Sequence, residues 1–116
     1  MTGKRLWNRT KGREGERRAE AYLRARGYRV VDRNVRLPGG ELDLVCVDGT
    51  TLVFVEVKAR SGADFGRALG AVDARKRTTL RRLAADYAQI AAPGARFRFD
   101  IVALDGETIV LHRNAF

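Results

Sequence analysis

The run Phe54-Val55-Glu56-Val57-Lys58-Ala59-Arg60 places a charge at every second position of an otherwise apolar stretch. A strand alternates its side chains between two faces, so Glu56, Lys58 and Arg60 project from one side of a sheet. Charges taken out of water need partners. A second acidic run lies just upstream, Gly40-Glu41-Leu42-Asp43-Leu44-Val45. Two or three carboxylates on one half-buried face repel one another, and a divalent cation is the simplest remedy. All-oxygen donors suit Mg²⁺ or Mn²⁺, which keep several waters and take substrate phosphate as a further ligand. Such a metal activates water and shields phosphate charge. A lysine two residues after Glu56 can orient that water or stabilise the negative charge that develops. The set Asp43, Glu56 and Lys58 therefore suits metal-dependent phosphodiester hydrolysis. Glu41 is a further candidate ligand or structural acid. The same residues would also serve as a cross-strand ion-pair ladder on a solvated sheet face.

Whether the acids converge depends on the hairpin between the two runs. Asp48-Gly49 between apolar segments is a strong hairpin signal. Directly opposed residues of an antiparallel pair share a face. A two-residue loop at Asp48-Gly49 sets Phe54 opposite Asp43 and Glu56 opposite Glu41. A four-residue loop sets Glu56 opposite Asp43. Either even loop keeps Asp43, Glu56 and Lys58 together, whereas an odd loop or an intervening bulge splits them.

The elements that must position these residues follow from punctuation and period. A helix is expected from about Arg13 to Arg26, stopped by Gly27, with Ala19, Tyr22, Leu23 and Arg26 toward the core. Glu16 and Glu20 lie one turn apart on it and could approach the site. Strands are expected at Tyr28–Arg36, Glu41–Val47 and Thr51–Arg60, with Pro38-Gly39-Gly40 as a turn. Residues 61–70, with three glycines, read as a loop. A second helix, Val72–Ala91, carries the stripe Val72, Leu80, Leu83, Ala84, Tyr87 and Ala91. Lys76 falls on that stripe, where it either snorkels to solvent or points toward the site. Strands at Arg96–Leu104 and Thr108–Arg113 are joined by a second Asp-Gly, Asp105-Gly106. The order α-β-β-β-α-β-β implies an α/β fold with a mixed five-stranded sheet flanked by helices.

At 116 residues the chain is sized for one domain, with a globular composition. Residues 1–11 are basic and read as an arm; residues 12–116 form the domain. No apolar run is long enough to span a membrane, and no apolar stretch follows the basic N-terminus as a secretory signal would require. One cysteine, Cys46, allows no intrachain disulfide and fits a small buried hydrophobe, which points to the cytoplasm. With His112 the only histidine, a histidine-based triad or multi-histidine metal site is excluded. The net charge of +9, from 23 basic against 14 acidic residues, favours a polyanionic partner, nucleic acid first. Lysine occurs only at Lys4, Lys11, Lys58 and Lys76, so the last two stand out in an arginine-rich chain. Arg75, Lys76, Arg77 and Arg81 place positive charge early in the second helix, against the helix dipole. A phosphate-binding surface or a solvated basic face would explain that.

Together, Gly40-Glu41-Leu42-Asp43-Leu44-Val45 and Val53-Phe54-Val55-Glu56-Val57-Lys58-Ala59-Arg60 resemble the PD-(D/E)xK nuclease superfamily. Within it the chain is similar to the small bacterial YraN-type family (UPF0102), and to archaeal Holliday junction resolvases. The likeness extends to Gly15-Glu16, Gly27-Tyr28, Asn34, Lys76 and Arg98-Phe99-Asp100. It implies a restriction-endonuclease-like core, with Asp43 and Glu56 as ligands to Mg²⁺ or Mn²⁺ and Lys58 as the catalytic lysine. By the same likeness Glu16 completes the metal site. Leu42 stands where the superfamily's name has Pro, a residue without a chemical part. The implied substrate is nucleic acid, DNA favoured and branched or structured forms included, and the implied assembly is a homodimer, since two strands need two sites. A non-catalytic nucleic-acid-binding module with the same fold is the alternative. Asp100 is expected to pair with an arginine inside the fold, and Arg60 to do likewise or to contact phosphate. Glu20 is expected to pair on the helix with Arg17 or Arg24.

Overall fold

The computed structural model describes residues 2–59 and 72–116, with side chains from Arg13 onward. Helix α1 (Thr2–Ala25) is followed by strands β1 (Arg29–Leu37), β2 (Gly40–Asp48) and β3 (Thr51–Ala59). Helix α2 (Ala74–Ala91) and strands β4 (Phe97–Asp105) and β5 (Thr108–His112) complete the chain. The order is the expected α-β-β-β-α-β-β, and the five strands form one sheet in sequence order. All neighbours are antiparallel except β3 and β4, which run parallel across the α2 connection. This is the mixed, helix-flanked sheet of a restriction-endonuclease-like core. Among the described residues, no helix is long and apolar enough to cross a membrane.

The two helices cover opposite faces of the sheet. On one face Ala19 and Leu23 of α1 pack with Tyr28, Val30, Leu44, Cys46, Val53, Val55, Val102 and Leu104. On the other, Leu80, Leu83, Ala84 and Ala88 of α2 pack with Leu42, Val45, Leu52, Phe54, Phe99 and Ile101. Each fully buried leucine of this kind contributes about 1.5–3 kcal/mol. β4 is buried on both faces along most of its length, as a central strand flanked by a parallel neighbour should be. Cys46 is a fully buried hydrophobe, and burial pushes its thiol pKa up to about 12.

Local chemistry sets the element ends. The Gly27 amide donates to the Arg24 carbonyl and the Tyr28 amide to the Leu23 carbonyl, with Gly27 at φ 90°. This pair of bonds is the Schellman stop, sealed by Tyr28 and Leu23 in the same core cluster. The expected end of α1 therefore holds, but its start lies at Thr2 rather than near Arg13. The missing start signal is physical: the first turn contains no acidic residue, and Gly3, Gly12 and Gly15 weaken helix propensity. The α2 stop at Ala91 agrees with expectation. Its start falls at Ala74 because Asp73 is the N-cap, its carboxylate accepting from the Lys76 amide at 2.9 Å.

The β2–β3 hairpin pairs Asp48 with Thr51, so its two-residue loop is Gly49-Thr50 and not Asp48-Gly49. Gly49 takes φ 65°, which places it at the first central position of the turn. β4–β5 repeats the solution: Asp105 pairs Thr108 and Gly106 has φ 56°.

Candidate active site

The β2–β3 ladder runs from Asp48↔Thr51 to Leu44↔Val55. Extended by one residue, that register sets Asp43 opposite Glu56, the placement expected from a four-residue loop. Backbone pairing gives way to a side chain at this point. The Val57 amide donates to the Asp43 carboxylate at 2.9 Å, in the direction where a partner strand's carbonyl would otherwise sit. β3 keeps its pairing to β4 as far as Ala59↔Leu104. Glu56 and Lys58 therefore sit on a strand paired on one side and, among the described residues, without a ladder partner on the other.

β1 and β2 are irregular at the same level. Leu42 packs in the α2-side core, yet Leu44, two residues on, packs in the α1-side core. Strict alternation would keep them together. The partner strand does the same: Arg33 bonds Glu20 of α1, whereas Val35 packs on the α2 side. Between Arg33 and Val35, Asn34 adopts φ 49°, a left-handed conformation that asparagine tolerates better than most residues. Ladder pairing skips Asn34 and Asp43. β1 carries a bulge between Val30 and Asp32, opposite Cys46 and Val45, while the β2–β3 register is unbroken. The reversal of facing in β2 falls at Asp43 and leaves the carboxylate at the boundary between the two faces of the sheet.

Groups from both helices reach this boundary. Glu56 is 5% exposed. Its Oε2 lies 3.7 Å from the Lys58 ammonium and 3.4 Å from that of Lys76 on α2. Lys76 therefore points toward the site. Burial is the main cause that lifts the Asp43 carboxyl pKa to about 7; the neighbouring Glu56 and Glu16 charges add to it, while the Val57 amide and Lys58 oppose it. From the α1 side, Glu16 shares a hydrogen bond with the Asn34 side chain. Its carboxyl is also raised, chiefly by burial, with Glu41 and Glu56 contributing. Glu41 is half-exposed and 3.3 Å from the Arg36 guanidinium.

The donor chemistry fits Mg²⁺ or Mn²⁺. Asp43 and Glu56 offer hard oxygen ligands, and Mg²⁺ is commonly held by one or two carboxylates plus waters and phosphate. Among the described residues, no three His, Cys, Asp or Glu side chains form a group that could hold a metal ion.

The four basic residues expected to meet nucleic acid divide between two flanks of α2. Arg75 and Lys76 line a groove of about 350 Å³, together with Gly39, Gly40, Glu41 and Thr79. Arg77 and Arg81 lie on the other flank, each 5.6 Å from the Phe116 ring, and Arg77 also donates to the Val72 carbonyl. On the α1 face, Arg13, Arg17 and Arg33 join Glu16 and Asn34 around a second hollow of about 200 Å³. Arg60, Ser61 and the rest of the glycine loop lie outside the described residues. Sequence reasoning gave Asn34 no role of its own; its one visible signal was an asparagine within a strand pattern.

A second polar cluster lies toward the hairpin end of the sheet. Asp100 is fully buried and accepts from the Tyr28 hydroxyl at 2.7 Å, Arg98 Nε at 3.0 Å and the Asn114 amide at 2.9 Å. Arg98 also donates to Asp48 at 2.9 Å, and Arg113 joins Asp48 at 3.1 Å. The expected pairing of Asp100 with an internal arginine is met by Arg98. Glu20 pairs with Arg24, as expected, and with Arg33, which pulls its carboxyl pKa down to about 2.

The model of a family described as uncharacterised, UPF0102, matches residues 15–104. Similar chains include UPF0102 proteins of Shewanella loihica, 46% identical over 107 residues covering 92% of this chain and 94% of the relative, and of Dechloromonas aromatica, 47% identical over 106 residues covering 91% and 88%. A UPF0102 protein of Moorella thermoacetica is 46% identical over 100 residues, covering 85% and 83%.

Proposed function

This chain belongs to the UPF0102 family, and from its site we propose that it is a divalent-metal-dependent endonuclease acting on DNA, branched or otherwise structured forms included. The observation that carries the reading is the Asp43–Glu56 pair at the break in the β2–β3 ladder, with Lys58 beside it. A bound Mg²⁺ or Mn²⁺ supplies Lewis acidity and offsets the phosphate's charge. Asp43 and Glu56 would hold it, and the Val57 amide fixes the orientation of Asp43. Lys58, packed against Glu56, directs its ammonium at the scissile phosphate or the attacking water. Water would add to phosphorus as it gives up a proton to solvent, the P–O bond to the leaving nucleotide would break, and the leaving oxygen would take up a proton from solvent. Glu16, hydrogen-bonded to Asn34 on the α1 side, would assist from there. Arg75 and Lys76 in the α2 groove, and Arg13, Arg17 and Arg33 in the α1 hollow, hold the backbone phosphates on either side.

One observation favours a second reading, a nucleic-acid-binding module without catalysis. Glu56 already has two ammonium neighbours, so its charge is met without a metal.

The test is a cleavage panel of single-stranded, duplex, flapped and four-way DNA with Mg²⁺ and with Mn²⁺, beside Glu56→Ala. Metal-dependent cutting of at least one form is expected, reduced about 10²–10⁴-fold in the variant. Cutting of no form, or cutting indifferent to the substitution, overturns the nuclease reading.

A further inference from the structure

Glu56 has one carboxylate and two lysine neighbours, and the two lysines are not equivalent. Lys58 is on the same strand, and its side chain is only 14% exposed. Lys76 reaches Glu56 from another element, is the nearer of the two at 3.4 Å, and its side chain is 45% exposed. It also lines the α2 groove beside Arg75 and Thr79. Its backbone is pinned, because its amide donates to the Asp73 cap, so only the flexible side chain has freedom to move. A four-carbon stem rooted between Glu56 and an open groove can serve either. The ammonium near Glu56 and a divalent cation on Glu56 repel each other.

We propose that Lys76 is an exchangeable counter-ion: it neutralises Glu56 while the site lacks metal, and moves into the α2 groove to hold a backbone phosphate once a divalent cation takes Glu56. Lys58 lines neither of the two described hollows. The surrounding charges favour the move. Arg75 borders the groove, Arg82 approaches it at Gly39, and α2 has no acidic residue in its first turn, so an anion entering there meets positive charge on α2. Asp73 and Glu41 also border it and keep the empty groove from being wholly cationic. Metal and nucleic acid then favour each other's binding through one side chain, a coupling that is reciprocal.

This inference rests on the metal-site reading above, and the experiment separates the two. Mn²⁺ affinity is measured by calorimetry for the wild type, Lys76→Gln and Lys76→Arg, each first checked for native circular dichroism. Binding of a phosphorothioate-linked duplex, which keeps its charges but resists hydrolysis, is then followed against salt with and without Mn²⁺. Lys76→Gln should bind Mn²⁺ about 3–10-fold more tightly, because a competing cation has gone. It should also lose about one phosphate contact from the salt slope, but only when Mn²⁺ is present. Lys76→Arg should stay near the wild type in both. If Lys76→Gln leaves Mn²⁺ affinity unchanged, or lowers the salt slope equally with and without metal, the exchange is wrong while the metal site stands. If the wild type takes up no Mn²⁺, both readings fall.

Discussion

The sheet carries two polar clusters a few residues apart along β3 and β4, and they are built on opposite plans. Around Asp100 every charge has a partner of the other sign or a hydrogen-bond donor: Arg98, Tyr28 and the Asn114 amide, with Asp48 and Arg113 extending the network. No described buried side-chain polar atom lacks a partner. Around Asp43, by contrast, burial and the neighbouring Glu56 and Glu16 charges push one carboxyl pKa up to about 7. A buried network closed on itself fixes a fold. A buried acid whose charged form is disfavoured is kept at a cost in stability, which is what the proposed ligand site would require.

The sharpest way to break this comparison is to remove one charge from each cluster. Glu56→Gln keeps the shape and removes a proposed metal ligand. Metal-dependent cleavage should fall about 10²–10⁴-fold, while the circular dichroism melt moves little. Asp100→Ala should do the reverse. It strands the Arg98 guanidinium, the Tyr28 hydroxyl and an amide inside the fold, costing about 3–5 kcal/mol in denaturant melts. An equal loss of stability in both variants would erase the distinction.

A subtler contrast uses pH. Asp43 has its pKa raised from the ordinary 3.8 to about 7, so its charged form is disfavoured in the folded state. Its contribution to stability is complete below about pH 4 and is lost as pH rises through 7. In metal-free protein, Asp43→Asn should therefore be more stable than the wild type by about 1–3 kcal/mol at pH 8. The gain should shrink toward pH 4, and a gain that does not vary with pH would contradict the account. Glu20 has the opposite sign. Its pKa is lowered from 4.5 to about 2 by Arg33 and Arg24, so the stability it adds is present above 4.5 and is lost as pH falls through 2. Glu20→Gln should show the smallest effect here, visible as a change in the acid limb of the melt and reduced by salt.

Much of this arrangement could be read in the sequence because its signals are local. Gly27 stops a helix by its own backbone, and each Asp-Gly pair marks a hairpin whatever the rest of the chain does. The proximity of Asp43, Glu56 and Lys58 was legible because strand alternation and one hairpin link them over sixteen residues. The hairpin loop was misplaced by one residue, since Asp-Gly marks a turn without saying which of the two occupies its first central position. Parity also hid the break at Asn34 and Asp43. A reversal of facing in two paired strands leaves both apolar patterns plausible by themselves, and only the packing of Leu42 and Leu44 on different helices exposes it. The Tyr28–Asp100 bond joins residues 72 apart, a separation at which no periodicity carries information.

Asp43 and Glu56 are proposed to hold a divalent cation. Titrating Mn²⁺ into the protein, with free ion read from its paramagnetic resonance signal, tests this most directly. The account predicts saturable uptake by the wild type at neutral pH, abolished in Asp43→Asn/Glu56→Gln and preserved in Glu20→Gln. Uptake that survives the double substitution, or wild-type protein that leaves the free-ion signal unchanged, would contradict it.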